Sequence, residues 1–511
     1  MERKRRISEK TNQDESMYVL WLKSRNNRWL IRCDVGRAIS VDFLPDDILL
    51  EIFDFCVVED RYTKKAIEAW QSLVHVCQRW RSVVFGSPRR LNLRLVCAAR
   101  TPARDTLDVW PALPLIIMGC PGRLEEIDNV IAALEHSDRV RQISIHSSSY
   151  HFEDVWATMQ KPFPVLRHLL LSSSEAQIVL SDSLFNWSAP DLQTLRLDDI
   201  PFPSLPKLLS SSTHLKTLDL NIGHSEHFSL NAIVVVLSTL TSLNSFCLQF
   251  HSPVYLPDKG SRHPPLLTRS VLPFLTSLRF KGASKYLEDL VARIDAPRLD
   301  SLHITFVNEG VFNTPQTIQF IDRTSALKAL EHARLVFKDI DDTVNVELVS
   351  QTLGSGDGIF VRTRCSGFDM QLSALKEVCT SFLLPLSKVS MLEVLCIYEN
   401  PYRPPYWKDK IDQLLWLELL HHFSAAKTLY LSEEIAPRIA HGLQEFVEDR
   451  TTEVLPMLQH IFLEGLEPSG PDQEGIVTFV AARQLSGRPI TVSLWERHPE
   501  RPGMGSSLGD R

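Results

Sequence analysis

The sequence has no apolar run long enough to cross a membrane and no excess of basic residues. Its most apolar stretch, AIVVVLSTLTSL from Ala232, is interrupted by serine and threonine and falls short of the roughly 20 residues that a membrane span needs. The formal net charge is −7, whereas general nucleic-acid binders carry a clear basic excess. We therefore expect neither a membrane nor a nucleic acid among the partners.

Motifs of metal binding and catalysis are also missing. The nine cysteines form no CxxC pair and no Cys/His spacing of a zinc site, and neither H-E-x-x-H nor a Walker sequence occurs. The sequence therefore predicts no metal, no cofactor and no enzymatic activity. Scattered cysteines suit a reducing compartment, and the polar start MERKRRISEK lacks the apolar core of a signal peptide. We expect a cytoplasmic or nuclear protein, or one found in both places.

From about residue 140 a short phrase recurs in the form apolar–x–x–apolar–x–apolar, the core of a leucine-rich repeat. The first apolar positions of one run are Leu166, Leu192, Leu215, Leu243, Leu275 and Leu299. They are separated by 26, 23, 28, 32 and 24 residues, which bracket the roughly 20–29 residues of regular repeats. The rhythm weakens between residues 306 and 390 and resumes at Met391. A chain of 511 residues is therefore predicted to be an α/β protein with an irregular repeat array.

Within each phrase the leucines alternate with polar residues, so the leucines should enter a shared core and the polar residues should line the opposite face. On a rigid scaffold such exposed positions are where recognition usually lies. The residues predicted to bind a protein substrate are Thr194, Arg196, Asp198, Thr217, Asp219, Asn221, Ser277, Arg279, Lys281, Ser301, His303 and Thr305. Two alternatives stay open: the face is only solvated, or the phrases are strands of separate α/β domains.

A short apolar helix is predicted within VDFLPDDILLEIFDFC, residues 41–56. Its apolar residues recur at helical spacing, namely Ile48, Leu49, Ile52, Phe53 and Cys56. A second helical pattern runs through AIEAWQSLVHVCQRWRSVV and stops at Gly86 and Pro88. So small a unit leaves apolar surface uncovered, which predicts a protein partner. The alternative is that these residues are the internal core of an ordinary helical domain.

These same residues carry a resemblance. Leu44-Pro45, Ile48-Leu49, Ile52-Phe53 and then Val76-Cys77-x-x-Trp80-Arg81 resemble the F-box pattern, although Cys56 stands where leucine is commoner and the link between the first two helices is long and charged. The resemblance implies a three-helix module that docks onto the Skp adaptor of a cullin-based ubiquitin ligase. The adaptor-facing residues that it implies are Leu44, Pro45, Ile48, Leu49, Ile52, Val76, Cys77 and Trp80.

From about residue 41 to about 497 the chain is similar to the large F-box family of mushroom-forming (basidiomycete) fungi, as in LLWLELLHHFSAAKTLYLSEEIAPRIAHGLQEF and FVAARQLSGRPITVSLWER. The resemblance implies an F-box at 41–90 and a leucine-rich-repeat-like substrate-recognition domain at 91–497. Residues 1–40, which are basic, and the tail 498–511 are predicted to be disordered. The implied function is substrate recognition in a Skp–cullin–F-box ubiquitin ligase, and the alternative is a repeat scaffold for protein interactions without a ubiquitin role.

Overall fold

The structure is a computed structural model. It describes residues 20–23, 29–32, 38–40, 44–56, 67–98, 102–120, 124–147, 153–173, 189–200, 202–223, 230–251, 269–307, 314–328, 330–338, 343–349, 357–365, 368–381, 386–397, 413–445, 454–465 and 474–496. The chain forms two compact units. Unit 1 comprises Met1–Val96 and Leu107–Leu115, and unit 2 comprises Cys97–Thr106 and Ile116–Arg511.

Unit 1 begins with three short strands that pair antiparallel in the order β1, β2, β3. They are β1 (Leu20–Lys23), β2 (Trp29–Arg32) and β3 (Ala38–Ser40). That residues 1–40 are disordered stays a prediction, because residues 1–19, 24–28 and 33–37 lie outside the described residues, as does the tail 498–511. Aromatic and branched residues such as those of WLIR favour a strand, and this local preference outweighs the polar composition around it.

Among the described residues of unit 1, three helices follow: α1 (Asp46–Cys56), α2 (Trp70–Val74) and α3 (Gln78–Gly86). Aromatic side chains hold them together. Phe53 of α1 lies 4.7 Å from Trp80 of α3 between ring centroids. Trp70 is fully buried, lies 5.1 Å from the ring of Trp110, and donates a hydrogen bond from Nε1 to the carbonyl of Arg94. A buried indole with a satisfied N–H is a stable centre for so small a unit.

The main sheet contains sixteen strands: β4 (Leu95–Ala98), β5 (Leu115–Gly119), β6 (Val140–Ser147), β7 (His168–Ser173), β8 (Thr194–Asp198), β9 (Thr217–Ile222), β10 (Ser245–Phe250), β12 (Ser277–Gly282), β14 (Ser301–Phe306), β15 (His332–Lys338), β16 (Thr343–Val349), β17 (Gly358–Arg364), β18 (Met391–Ile397), β19 (Thr428–Leu431), β20 (His460–Glu464) and β21 (Thr491–Trp495). The short strands β11 (Ser270–Val271) and β13 (Ile294–Asp295) pair with each other. The predicted α/β class is confirmed, and the strands of the repeat region lie in one sheet rather than in separate domains.

The further helices are α4 (Ala103–Val109), α5 (Leu124–Leu134), α6 (Glu153–Thr158), α7 (Leu205–Ser211), α8 (Leu230–Leu237), α9 (Ser284–Val291), α10 (Pro315–Arg323), α11 (Phe368–Ser381), α12 (Gln413–His421), α13 (Ala436–Glu445) and α14 (Glu474–Leu485), with a 3₁₀ helix at Ala326–Lys328. Most are one to three turns long. Among the described residues, no helix has both the length and the apolar character to cross a membrane.

The repeat geometry follows from the leucine positions. All six leucines that set the repeat are fully buried, and the amide of each donates to the carbonyl three residues earlier; Leu192, for example, donates to Ala189. The next residue then joins the preceding repeat, so that the Gln193 amide donates to Arg167 and the Lys216 amide donates to Gln193, both at 2.8 Å. This recurrent turn satisfies backbone groups that would otherwise be buried without partners. The predicted shared core is confirmed.

The array changes strand order after β14. Strand β17 pairs parallel with β14, while β16 runs antiparallel between β17 and β15, and β15 then pairs parallel with β18. Helix α11 packs on β16 and β17. The interval in which the sequence rhythm weakens is therefore a hairpin insertion, and the parallel series resumes with β18 at Met391.

Candidate interaction surfaces

Helix α1 presents two apolar faces rather than one. Leu49 is fully buried and Phe53 is buried beside Trp80, so this face holds unit 1 together. The other face carries Ile48, which is 47% exposed, and Phe55, which is 88% exposed. With Ile52, which is partly exposed, they follow at steps of four and three residues and form one stripe. We call Ile48, Ile52 and Phe55 the outer α1 stripe.

The VC-x-x-WR segment has a structural role that the contacts explain. Cys77 is the N-cap of α3, and its Sγ accepts a hydrogen bond from the Trp80 amide at 3.4 Å. The Arg81 Nε donates to the carbonyl of Val74 at 3.1 Å, which ties α3 back to α2. These contacts set the turn between the two helices, so part of the motif is needed for the fold of unit 1 itself.

The eight residues predicted to face the adaptor therefore fall into two groups. Leu49 and Trp80 are buried inside unit 1. The others are partly or largely exposed, namely Leu44, Pro45, Ile48, Ile52, Val76 and Cys77. Sequence reasoning missed Phe55, whose position seven residues after Ile48 was the available signal, because heptad spacing returns to the same helical face.

The polar residues of the repeat strands line up in rows across the sheet. The parallel pairing places Thr194, Thr217, Ser245, Ser277 and Ser301 in a first row. It places Arg196, Asp219, Cys247, Arg279, His303 and Phe360 in a middle row. It places Asp198, Asn221, Gln249, Lys281, Thr305 and Arg362 in a last row. We call this surface the sheet face.

All twelve predicted substrate-binding residues lie in these rows, and eleven of them are at least partly exposed. Ser301 is the exception, because only 9% of it is exposed, so it adds little to the surface. The prediction omitted the residues of β10, namely Ser245, Cys247 and Gln249, although the phrase SLNSFCLQF shows the same alternation. It also omitted Phe360 and Arg362 of β17, which the changed strand order brings beside β14.

At the N-terminal part of the sheet face the charges pair with each other. The Arg196 Nε lies 3.6 Å from Asp219 Oδ2, and the Asn221 Nδ2 donates to Asp198 Oδ1 at 2.5 Å. Among the described residues, one cluster has the donor atoms for a cation: the ligand atoms of Asp198, Asp199 and His251 lie within 4.8 Å of one another. Asn221 already donates to Asp198, and His251 Nε2 lies 3.4 Å from Asp199 Oδ2, so internal contacts account for these groups.

The middle of the sheet face is basic. His303 stacks on Phe360 with 4.4 Å between ring centroids and 9° between ring planes. Burial, then the guanidinium groups of Arg279 and Arg362, lower the pKa of His303 to about 4. The imidazole is therefore neutral near pH 7. Two strands away in the same row, burial and the Asp219 carboxylate raise the pKa of the Cys247 thiol to about 12, so this thiol stays protonated.

Beyond β17 the charges pair again. Arg334 contacts two carboxylates: its Nε lies 2.8 Å from Glu393 Oε2 and its Nη1 lies 3.7 Å from Glu347 Oε2. His332 Nε2 lies 2.9 Å from Glu393 Oε1. Although burial alone would raise the pKa of Glu393, its contacts with His332 and Arg334 outweigh this and lower it. Farther along, the rings of Tyr430 and Phe462 stack at 4.6 Å.

In-register parallel strands, buried leucine columns and returning short helices define the repeat region as a leucine-rich-repeat-like array, a class of scaffold that presents an extended surface for protein interaction. No family model and no curated protein matches the chain. Among solved structures, the chain is similar to the leucine-rich repeat-containing protein LegL7 from Legionella pneumophila. The two are 13% identical with a TM-score of 0.26, over 78% of this chain and 99% of that one, and this likeness carries no weight for fold or function.

Proposed function

We propose that this protein is a substrate-recognition adaptor of a Skp–cullin–F-box ubiquitin ligase. Unit 1 would bind the Skp adaptor and, through it, a cullin, while the sheet face of unit 2 would bind a target protein. The observation that carries the proposal is the outer α1 stripe on the helix that follows Leu44-Pro45. A large aromatic side chain such as Phe55, 88% exposed on a small helical unit, is typical of a protein interface.

The energetics support an interface at this helix. Covering one exposed large apolar side chain contributes about 1.5–3 kcal/mol, so the residues of the stripe together supply a substantial part of a binding free energy. Leu49 and Phe53 already hold α1 in place from the other side. The stripe can therefore be covered by a partner without rearrangement of the core of unit 1.

In this proposal the chain itself performs no catalysis, because ubiquitin transfer would be carried out by the recruited components. A thiolate is needed for a ubiquitin thioester. Burial raises the pKa of Cys247 to about 12 and raises the pKa values of Cys379 and Cys365, so these thiols are held in the unreactive form.

Co-purification of the full chain with the Skp adaptor tests the proposal. The double variant Ile48→Ala/Phe55→Ala should lose the adaptor, and so should Leu44→Ala/Ile48→Ala. The matched control is Val235→Ala/Leu485→Ala, which truncates exposed apolar residues on α8 and α14 of unit 2 and should leave capture unchanged. Undiminished capture by both unit 1 variants would show that this helix does not bind the adaptor.

The second candidate function is a protein-interaction scaffold without a ubiquitin role. The observation that favours it is the sheet face, which offers rows of exposed polar residues whether or not unit 1 binds an adaptor. A scaffold predicts capture of partner proteins through unit 2 with no Skp adaptor or cullin in the same complex. Quantitative mass spectrometry of the captured complexes distinguishes the two candidates.

A further inference from the structure

The centre of the sheet face concentrates positive charge that carboxylates of the same strands do not neutralise. Arg279 and Lys281 project from β12, and Arg362 and Arg364 project from β17. We call these four residues the basic patch. Across β10, β12, β14 and β17, the described positions of this face hold no Asp or Glu. The side chains of Arg279, Arg362 and Arg364 are exposed, and Lys281 is partly exposed.

On the neighbouring strands, in contrast, arginines are paired with carboxylates. On one side Arg196 lies against Asp219, and on the other Arg334 contacts both Glu347 and Glu393. Arg362 contacts a neutral group, since its Nε donates to Asn345 Oδ1 at 3.1 Å. Cations placed side by side repel one another unless an anion joins them. The basic patch therefore has the electrostatics of an anion-binding surface.

The stacked rings of His303 and Phe360 form the floor between the cations. His303 is the direct neighbour of Arg279 across the strand pair, and Arg362 follows Phe360 by two residues on the same face. A neutral imidazole adds a hydrogen-bonding group without adding repulsion. The floor is aromatic and flat, while its rim is cationic.

We infer that the basic patch, with the His303–Phe360 stack as its floor, docks a carboxylate-rich segment of a protein partner. This inference rests on the proposal that the sheet face binds the target protein, and it adds the chemical class of the segment that is recognised. Charge complementarity of this kind gives specificity and raises the association rate.

The dimensions favour a peptide over a nucleic acid. Lys281 and Arg362 lie two strands apart, so their Cα atoms are separated by about 10 Å. In an extended peptide, acidic residues two or three positions apart are separated by about 7–10 Å. A nucleic acid gains affinity by neutralising many successive phosphates. Here carboxylates such as Asp219 and Glu347 lie on both sides of the basic patch and limit its extent.

Fluorescence anisotropy with the full chain and a labelled glutamate-rich peptide tests the inference. We expect binding that weakens with added salt, while the same peptide with glutamines in place of glutamates should not bind. The variant Arg279→Glu/Arg362→Glu should lose affinity by about tenfold or more. The variant Arg279→Gln/Arg362→Gln is the milder form, in case charge reversal disturbs folding, and it should also weaken binding.

The matched control is Lys161→Glu/Lys388→Glu, which makes the same change of net charge at exposed positions outside the sheet strands and should keep the parent affinity. Absence of binding by the acidic peptide, or binding that survives both patch variants, would overturn the inference. Tighter, competing binding of a single-stranded oligonucleotide would also overturn it, in favour of a nucleic acid.

Adaptor capture measured on the same variants separates this inference from the proposed ligase role. Patch variants that lose the peptide should still capture the Skp adaptor. If the parent chain binds the acidic peptide but captures no adaptor, the ligase role fails and the docking site stands. If it captures the adaptor but binds no acidic peptide, the docking site fails alone.

Discussion

The imidazole of His303 lies face to face with the ring of Phe360, 4.4 Å away between centroids, although their strands β14 and β17 are separated along the chain by β15 and β16. The changed strand order thus creates a contact between side chains that regular succession of repeats would keep apart. It also places His303 near the guanidinium groups of both Arg279 and Arg362. The titration of His303 therefore reports on Arg279 and Arg362, two of the four residues of the basic patch.

We expect Arg279→Gln to raise the pKa of His303 from about 4, because removal of a positive neighbour favours the protonated imidazole. The pKa should stay below its ordinary value, since burial is the largest cause of the shift and remains. An NMR titration of the imidazole C–H signal, assigned with His303→Gln, measures this change. Arg196→Gln, which removes an arginine beside Asp219, should leave the pKa in place. An unaltered pKa in the Arg279 variant would refute the electrostatic coupling.

Truncation on the two faces of α1 should lower the stability of unit 1 to different extents. Leu49→Ala leaves a cavity in unit 1 and should lower the free energy of unfolding by about 2–5 kcal/mol. Ile48→Ala removes a half-exposed side chain and should lower it by less than about 1 kcal/mol, while weakening adaptor binding. Hydrogen exchange of the α1 amides gives the local stability. Equal losses from the two substitutions would contradict the assignment of the faces.

Cys77 should tolerate serine better than alanine. Its side chain caps α3 by accepting from the Trp80 amide, and a hydroxyl is a stronger acceptor than a thiol. We expect Cys77→Ser to preserve or raise the stability of unit 1 and Cys77→Ala to lower it by about 0.5–2 kcal/mol. Denaturation of both variants followed by the fluorescence of Trp80 and its neighbours provides the comparison. A more stable alanine variant would exclude a capping role.

Glu393 should stabilise the fold in a way that disappears in acid. Its pKa is lowered in the folded protein, so its contribution is complete above the unfolded-state pKa and is lost as the pH falls through the folded-state pKa. Glu393→Gln should cost about 1.5–3 kcal/mol near neutral pH. Thermal midpoints of the parent and the variant, measured over a pH series, should converge at low pH. A constant difference at every pH would indicate a packing effect instead.

A reconstituted ligase reaction should form no ubiquitin thioester on Cys247, Cys365 or Cys379. Burial keeps Cys247, Cys365 and Cys379 protonated, and a protonated thiol is a poor nucleophile. Non-reducing electrophoresis after a single-turnover reaction detects such an adduct, with a catalytic-cysteine enzyme as the positive control. A reducible ubiquitin band on this chain would end the proposal that it acts only as an adaptor.

Sequence periodicity predicts the repeat region well because its signal is local. Leucines such as Leu192 and Leu215 recur at steps that return the chain to the same sheet, and the structure buries them completely. The alternation inside each phrase also fixes which residues reach the sheet face. The interruption of the repeat before Met391 can also be seen in the sequence, because the β-type stretches there do not carry the leucine-rich-repeat motif.

Other features depend on pairings that a single sequence does not encode locally. Nothing near Phe360 indicates that β17 neighbours β14, because the order of strands is set by packing across the whole insertion. Helical spacing likewise gives α1 one broad apolar face, and only the contacts of Phe53 with Trp80 reveal that Ile48 and Phe55 are left outside. Tertiary contacts therefore decide which apolar residues enter the core and which stay exposed.

The hairpin insertion has a consequence for how such chains diverge. Strands β14 and β15 run in the same direction, so a shorter chain without residues 343–381 could dock β15 directly against β14 and keep an unbroken parallel ladder. That deletion would remove Phe360, Arg362 and Arg364 in one step while leaving Arg279 in place. Gain or loss of this segment would then change the binding specificity of the sheet face without altering the parallel pairing of its strands. A difference in length between two related chains would mark a difference in their target proteins.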